Sequence, residues 1–348
     1  MASLSALLSG SHGLSADALA IVLDALSVLD ITYARVCRAW HDAVKAAVTR
    51  WRRFSVDRDL KAPSPVSDMF ALPGRGVCCL VHSLQPHASN LRIYSTSGEW
   101  SEMAQLEADS VSAAASVDGA SIYSLSETGE EGHAWYLRRR ELCALSTVIA
   151  TPMLAASRRV TPIGMGQIAA NRLLVAEHLV FVSGSWLPLM DLARQRRRGW
   201  VEVFTAETLV RQGEPDRFVK GLRNPQGMAV HGTDLFVADE EACTICVCDA
   251  SKAFTGDRLV QSPVARIIGG KGEAPGLFLG PVEVAITSGQ LVVLESSRVQ
   301  VLTLDGAPRQ LLPLPGIAYG SMCMGNEAGE IYVVPRDRRS VTVLRLRM

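Results

Sequence analysis

Residues 225–249 and 281–305 of this chain can be laid on one another without a gap. Pro225-x-x-Met228-Ala229-Val230 matches Pro281-x-x-Val284-Ala285-Ile286, and Leu235-Phe236-Val237 matches Leu291-Val292-Val293. Ile245-x-Val247-x-Asp249 then matches Val301-x-Thr303-x-Asp305. Each copy reads as strand, turn, strand, loop, strand, because short aliphatic runs alternate with Gly, Pro, Asn and Asp. A unit this small cannot bury its own apolar faces, so copies must stack on one another. The same spacing returns at Ile331-Tyr332-Val333 with Val341-x-Val343. Weaker copies lie upstream: Val77 to Val81 with Leu91-x-Ile93, Ile122 to Leu125 with Tyr136-Leu137, and Leu179 to Val182 with Val201-x-Val203. Counting second strands gives about six units, and four-stranded blades of about 40–45 residues are the signature of an all-β propeller. Residues 66–348 are assigned to it.

Ahead of the repeats, residues 61–67 hold Pro63 and Pro65 among small polar side chains, which break helix and strand alike. A propeller ring exposes a sheet edge unless its last strand pairs with one from the start of the domain. Arg53 to Asp57 is the candidate partner for the terminal strand Ser340 to Leu346, so residues 55–65 are read as closing strand and linker. Composition narrows the function classes. Apolar residues make up 48% and charged ones 20%, which excludes a largely disordered chain. Lys plus Arg equals Asp plus Glu at 35 each, whereas a dedicated nucleic-acid binder carries a basic excess. Nucleic acid is therefore disfavoured as a partner. No apolar run reaches the roughly 20 residues of a membrane helix, and the N-terminus lacks the basic region of a signal peptide. The expected setting is cytoplasmic and/or nuclear, with no membrane partner.

The eight cysteines sit mostly inside apolar runs, unlike a secreted disulfide framework. Cys243-x-x-Cys246-x-Cys248 has a metal-like spacing, but Ile245 and Val247 alternate with the last two thiols and place them on one strand face. Tetrahedral zinc needs a fourth ligand, and no matching pair lies nearby. No metal or other cofactor is expected.

Residues 12–54 have a different character. Leu19, Val22, Leu23 and Leu26 fall on one helix face, and Ser15 and Asp17 are oxygen-bearing caps for its free amides. Asp30 starts a second helix in the same way. Val36, Ala39, Trp40, Ala43 and Val44 draw a third apolar stripe, with Trp51 beyond. Three such helices bury little surface alone, so their apolar faces need a partner or a neighbouring domain. Leu14, Leu19, Val22, Leu23, Leu26, Asp30-Ile31, Val36-Cys37-Arg38, Trp40 and Trp51 together resemble an F-box, the motif that docks a substrate receptor onto the Skp adaptor of a cullin-RING ubiquitin ligase. Ser15 stands where that family usually has Pro. The resemblance implies a Skp-type adaptor and a cullin-RING ligase as partners, contacted through Leu14, Leu19, Leu23, Leu26, Ile31, Val36 and Trp40. It further implies a protein substrate and no chemistry of the chain's own. Trp40 is expected to pack inside the module.

Gly221 to Val230 followed by Leu235 to Asp239, and Ile267 to Phe278 leading into Gly280, look like NHL repeats, most clearly over residues 219–305. The expected architecture is thus a small three-helix F-box-like module followed by a six-bladed, NHL-like propeller. The loops joining the second and third strands of each blade share one face with the channel mouth. The longest, read as residues 183–199, carries Trp186, Arg194, Arg196, Arg197 and Arg198. The last blade adds Arg336, Arg338 and Arg339, and the second adds Glu130, Glu131 and His133 beside Glu127. Basic and acidic sectors side by side suit a polar protein surface. An RNA-binding or scaffold propeller using Arg194 to Arg198 remains an alternative, as does a propeller hydrolase or lyase with a central metal near His82, His87, His178 or His231. No nucleophile elbow, phosphate loop or zinc-protease motif occurs.

Overall fold

The computed structural model describes residues 53–347, apart from 63–64, 83–87, 96–98, 108–109, 129–133, 143–152, 161–165, 189–196, 211–218, 220, 252, 254–261, 315–318, 326–328 and 336–339. The F-box-like segment and its seven adaptor residues therefore lie outside the described residues. The described part is strand and turn throughout, except for a short helical turn at Ser251 and Ala253. It contains 23 strands in six sheets.

The chain's first strand does not belong to the first blade. That strand, β1 (Arg53–Lys61), is hydrogen-bonded to the last, β23 (Ser340–Arg347). The first blade is β2 (Val66–Leu72), β3 (Gly76–His82), β4 (Ala88–Ser95) and β5 (Trp100–Glu107). The second is β6 (Ser110–Ala115), β7 (Ser121–Thr128), β8 (Ala134–Glu141) and β9 (Met153–Val160). The third has β10 (Gly166–Ala176), β11 (Leu179–Pro188) and β12 (Arg198–Thr205). The fourth is β13 (Pro225–His231), β14 (Asp234–Asp239), β15 (Thr244–Asp249) and β16 (Val264–Gly269). The fifth is β17 (Pro281–Thr287), β18 (Gln290–Glu295), β19 (Arg298–Thr303) and β20 (Pro308–Pro313). The sixth holds β21 (Tyr319–Met324), β22 (Glu330–Pro335), β23 and, outermost, β1. The first strands of the blades, β2, β6, β10, β13, β17 and β21, each neighbour the next, and β21 returns to β2. The ring is closed with six blades.

Closure by β1 caps an edge that would otherwise present unpaired amides and carbonyls. Gln310 of β20 adds a second clasp: Phe54 N–H donates to Gln310 Oε1 at 2.9 Å, and Gln310 Nε2 donates to Phe54 O at 2.7 Å. The Phe54 ring is buried with Val299, Leu344 and Ile331. Residues 61–67 are correspondingly less of a linker than their prolines suggest, because Lys61 ends β1 and Val66 begins β2.

Two further details depart from the sequence reading. The third blade has three strands among the described residues, and where a fourth would lie Val219 makes isolated bridges with Val201 and with Ser262. The repeat is not gapless through its third strand either. Leu235 pairs with Cys248, whereas its counterpart Leu291 pairs with Leu302. The connection 240–243 is two residues longer than 296–297, so Ile245 is equivalent to Val299 and Cys246 to Gln300. Alternating Val and Leu made a two-residue slip invisible, because it keeps every side chain on its own face.

The hairpins between first and second strands share one conformational device. Gly74, Gly119, Gly232, Gly289 and Gly329 hold positive φ in five of these turns, and Glu177 does so in the sixth with φ 51°. Between blades the sheets pack face to face through apolar clusters such as Phe236, Ile245 and Val247 against Leu291, Val293 and Leu302.

Candidate functional site

Each innermost strand carries a register irregularity: Val66/Asp68, Ser110/Ser112, Ala170/Arg172, Pro225/Met228, Pro281/Glu283 and Tyr319/Ser321. A bulge re-aims the next side chain and raises local twist. Here it produces a ring of equivalent positions along the axis: Asp68, Ser112, Arg172, Gly227, Glu283 and Ser321. All of these except Gly227 bond through their side chains to another blade. Asp68 accepts hydrogen bonds from Ser112 Oγ at 2.7 Å, Ala113 N–H at 3.1 Å and Ser321 Oγ at 2.8 Å. Arg172 Nε donates to Glu283 Oε2 at 3.1 Å, and its terminal nitrogens donate to Gly320 O at 2.5 Å and Asn171 O at 3.3 Å. The Arg172–Glu283 pair spans from the third blade to the fifth, across the fourth. Gly227 makes that possible, since a Cβ there would lie 1.8 Å from Glu283 Oε1.

The electrostatics follow from burial. Burial pushes the Glu283 carboxyl up to about 7; Arg172 opposes that shift and Asp68 reinforces it. Burial works against the Arg172 cation, yet Asp68 and Glu283 outweigh it and hold the guanidinium above its ordinary value. Chemically this is a proton-holding carboxyl beside a fixed cation, with most of its hydrogen-bonding capacity committed within the protein. Sequence reasoning missed these residues. The usable signal was an isolated charged residue, Asp68, Arg172 or Glu283, inside an otherwise apolar first strand.

Among the expected substrate contacts, Arg194, Arg196, Glu130, Glu131, His133, Arg336, Arg338 and Arg339 lie outside the described residues. Trp186, Arg197 and Arg198 are described and come together, but mostly not in a loop: β11 continues to Pro188 and β12 begins at Arg198. Trp186 and Arg198 are cross-strand partners, and the guanidinium sits 5.7 Å from the Trp186 ring centroid. Arg197 donates to Ser185 Oγ at 3.4 Å. Trp186 Nε1 is buried and has no hydrogen-bond partner among the described residues. The pair stands at the end of the second and third strands of its blade, on the connection face. Beside it, Gly199 N–H donates to Leu222 O at 2.7 Å, which ties this hairpin to the segment entering the fourth blade.

That segment is held by a buried carboxylate. Asp239 accepts from Arg223 N–H at 2.7 Å, Asn224 N–H at 2.9 Å and Ala242 N–H at 3.3 Å. Glu240 accepts from Asn224 Nδ2 at 2.9 Å and Gln226 Nε2 at 3.1 Å. Cys246 and Cys248 share a face in the cluster between the third and fourth blades, with Val247 on the opposite face, as their alternation predicted. Burial raises Cys246 to about 11 and Cys248 to about 12. No group of three or more His, Cys, Asp or Glu side chains that could hold a metal occurs among the described residues. His178 and His231 lie at hairpin turns between first and second strands, at the opposite blade ends from His82, so these histidines do not converge. No helix among the described residues is long and apolar enough to cross a membrane.

Six closed blades define the class: an all-β propeller. The chain is similar to the solved structure of a "putative oxidoreductase (glucose dehydrogenase)" from Thermus thermophilus, at 16% identity and TM-score 0.54, over 85% of this chain and 99% of that one. It is also similar to the WD40 β-propeller domain of Doa1, at 12% identity and TM-score 0.49, over 84% of this chain and 97% of that one. Identities this low bear on the fold alone. No family model matches the chain, and no curated protein matches it.

Proposed function

We propose that this chain is the substrate-recognition subunit of an SCF-type ubiquitin ligase, working in the cytoplasm or nucleus. Residues 12–54 dock a Skp-type adaptor, and the connection face of an NHL-like propeller holds a protein substrate. The observation that carries the recognition half is the stacked Trp186–Arg198 pair on that face. An aromatic and an arginine side by side are the residue types that dominate binding energy at protein interfaces, and cation–π stacking orders them in advance. The axis fits the same reading, because Asp68 is bonded to Ser112 and Ser321 and Arg172 to Glu283 within the protein. Such a receptor needs no catalytic group; it raises the effective concentration of substrate near a separate ubiquitin-loaded enzyme.

The test is capture of a purified Skp adaptor by the intact chain, by the chain lacking residues 1–50, and by Leu14→Ala and Ile31→Ala variants. Capture by the intact chain that is lost in all three variants supports the reading. No capture by an intact, folded chain overturns it. RNA retention by the chain with steep salt dependence, lost in Arg197→Ala/Arg198→Ala, would favour the RNA-binding propeller instead.

A further inference from the structure

The seam between the first and second blades is polar at positions where other seams are apolar. Each blade turns matching positions of its second and third strands toward the blade before it. In the fifth blade these are Leu291, Val293 and Leu302, and in the sixth Ile331, Val333 and Leu344, all buried. The pairing of β7 with β8 puts Ile122, Ser124 and Arg140 at the same places in the second blade, with Arg138 opposite Ser124. Tyr123, Leu125, Trp135 and Leu137 alternate with them and pack toward the third blade, so the face turned to the first blade is fixed by strand alternation.

Two hydroxyls in this seam are orphaned. Ser124 is 0% exposed, and so is Ser89, which alternates with Leu91 and Ile93 on the facing wall of the first blade. Neither Oγ has a hydrogen-bond partner among the described residues. Buried polar groups are almost always bonded, so each orphan calls for a physical reason. Arg138 and Arg140 stand beside them, half-buried. A terminal nitrogen of Arg138 donates to Ser126 Oγ, and its guanidinium lies 5.2 Å from the Tyr136 ring centroid. Burial holds both guanidiniums below their ordinary value. Glu127 and Glu141 pair in register with Trp135 and Ser121, which puts them on the other face of the sheet, toward the third blade. Among the described residues, neither wall of the seam carries a carboxylate.

We propose that this seam binds a small oxyanion, a phosphate or carboxylate group, through Arg138, Arg140, Ser124 and Ser89. Positive charge and hydroxyl donors on walls without an acid call for an anionic acceptor, and guanidinium groups are the strongest donors to one. The inner side of the seam is shut, because Asp68 of the first blade accepts from Ser112 Oγ at 2.7 Å and Ala113 N–H at 3.1 Å of the second. The anion therefore enters from the outer strands, where the two arginines stand. This site is separate from the Trp186–Arg198 pair and goes beyond the proposed function.

The experiment is isothermal titration calorimetry of the full chain with three probes. They are inorganic phosphate, acetyl-Gly-Gly-Glu-Gly-Gly-amide, and the same peptide carrying phosphoserine in place of glutamate. Saturable binding of at least one probe is expected. Ser124→Val/Arg140→Leu gives the second blade the residue types of the fifth and sixth. It should weaken binding at least about tenfold, the loss of one charge-assisted contact, while the melting temperature holds or rises. Arg140→Gln keeps part of the stem and loses the charge, and should weaken binding in the same direction. Binding of phosphate alone assigns the site to a free anion, and binding of either peptide assigns it to an acidic side chain of a partner polypeptide. No saturable binding of any probe by the folded chain, or undiminished binding by the folded variants, overturns the inference.

Discussion

Glu283→Gln is the sharpest test of the axial network. In the folded chain the Glu283 carboxyl titrates at about 7, against an ordinary value of 4.5 that the unfolded chain restores. The folded state therefore holds one proton more than the unfolded state between those two pH values, and stability falls as pH rises through that window. A raised acid contributes fully below pH 4.5 and loses its contribution as pH passes 7. At about 1.4 kcal/mol per pH unit, the loss comes to about 3 kcal/mol. The residue is 7% exposed, so solvent screening takes little from that figure. Glutamine keeps the volume and hydrogen-bonding shape but cannot titrate, so in the variant Arg172 faces a neutral group at every pH. The assay is urea unfolding followed by circular dichroism and tryptophan fluorescence at half-unit steps from about pH 5 to about pH 8. Other carboxylates and histidines shape both profiles alike, so the readout is the difference between wild type and variant. Wild type should lose about 3 kcal/mol relative to Glu283→Gln across the series. Parallel profiles would refute the argument, because they would mean that Glu283 is ionised throughout.

Three more perturbations probe the same structure. Gly227→Ala places a methyl 1.8 Å from Glu283 Oε1 and 2.7 Å from its Cα, so the backbone of two blades must part; a loss of about 1–3 kcal/mol in urea unfolding is expected, and an unchanged midpoint would reject the close approach. Phe54→Ala empties a site that is 2% exposed and loosens the closing strand; about 3–5 kcal/mol should be lost, and calorimetry showing less than about 1 kcal/mol would mean that β1 does not close the ring. Glu177→Gly relieves a non-glycine residue held at φ 51°; a gain of about 0.5–1 kcal/mol is expected, and a lower melting temperature would show that the Glu177 side chain contributes more than its backbone costs.

The strands were legible in the sequence because a sheet buried on both faces demands runs such as Leu235 to Ala238 and Leu291 to Leu294, and turns between them demand Gly or Asn. Six copies of that pattern, and a further strand-like segment from Arg53 to Asp57 with no blade of its own, were enough to anticipate a ring closed by its own first strand. The two-residue slip between the fourth and fifth blades was not legible, because a shift of two preserves the alternation that sequence reading relies on.

The candidate sites divide in the same way. Trp186 and Arg198 could be singled out as an aromatic beside a basic run, but their stacking depended on β11 and β12 being longer than the pattern shows. Asp68, Arg172 and Glu283 lie 104 and 111 residues apart along the chain and carry no motif. Only ring closure brings six first strands to one axis, and only the bulge in each turns these side chains toward it. The sequence by itself determined the repeating strand unit, its turns and its apolar faces, since those are local demands of backbone and solvent. The tertiary structure alone decided which charges meet, because the distance between blades is set by packing around the whole ring and not by separation along the chain.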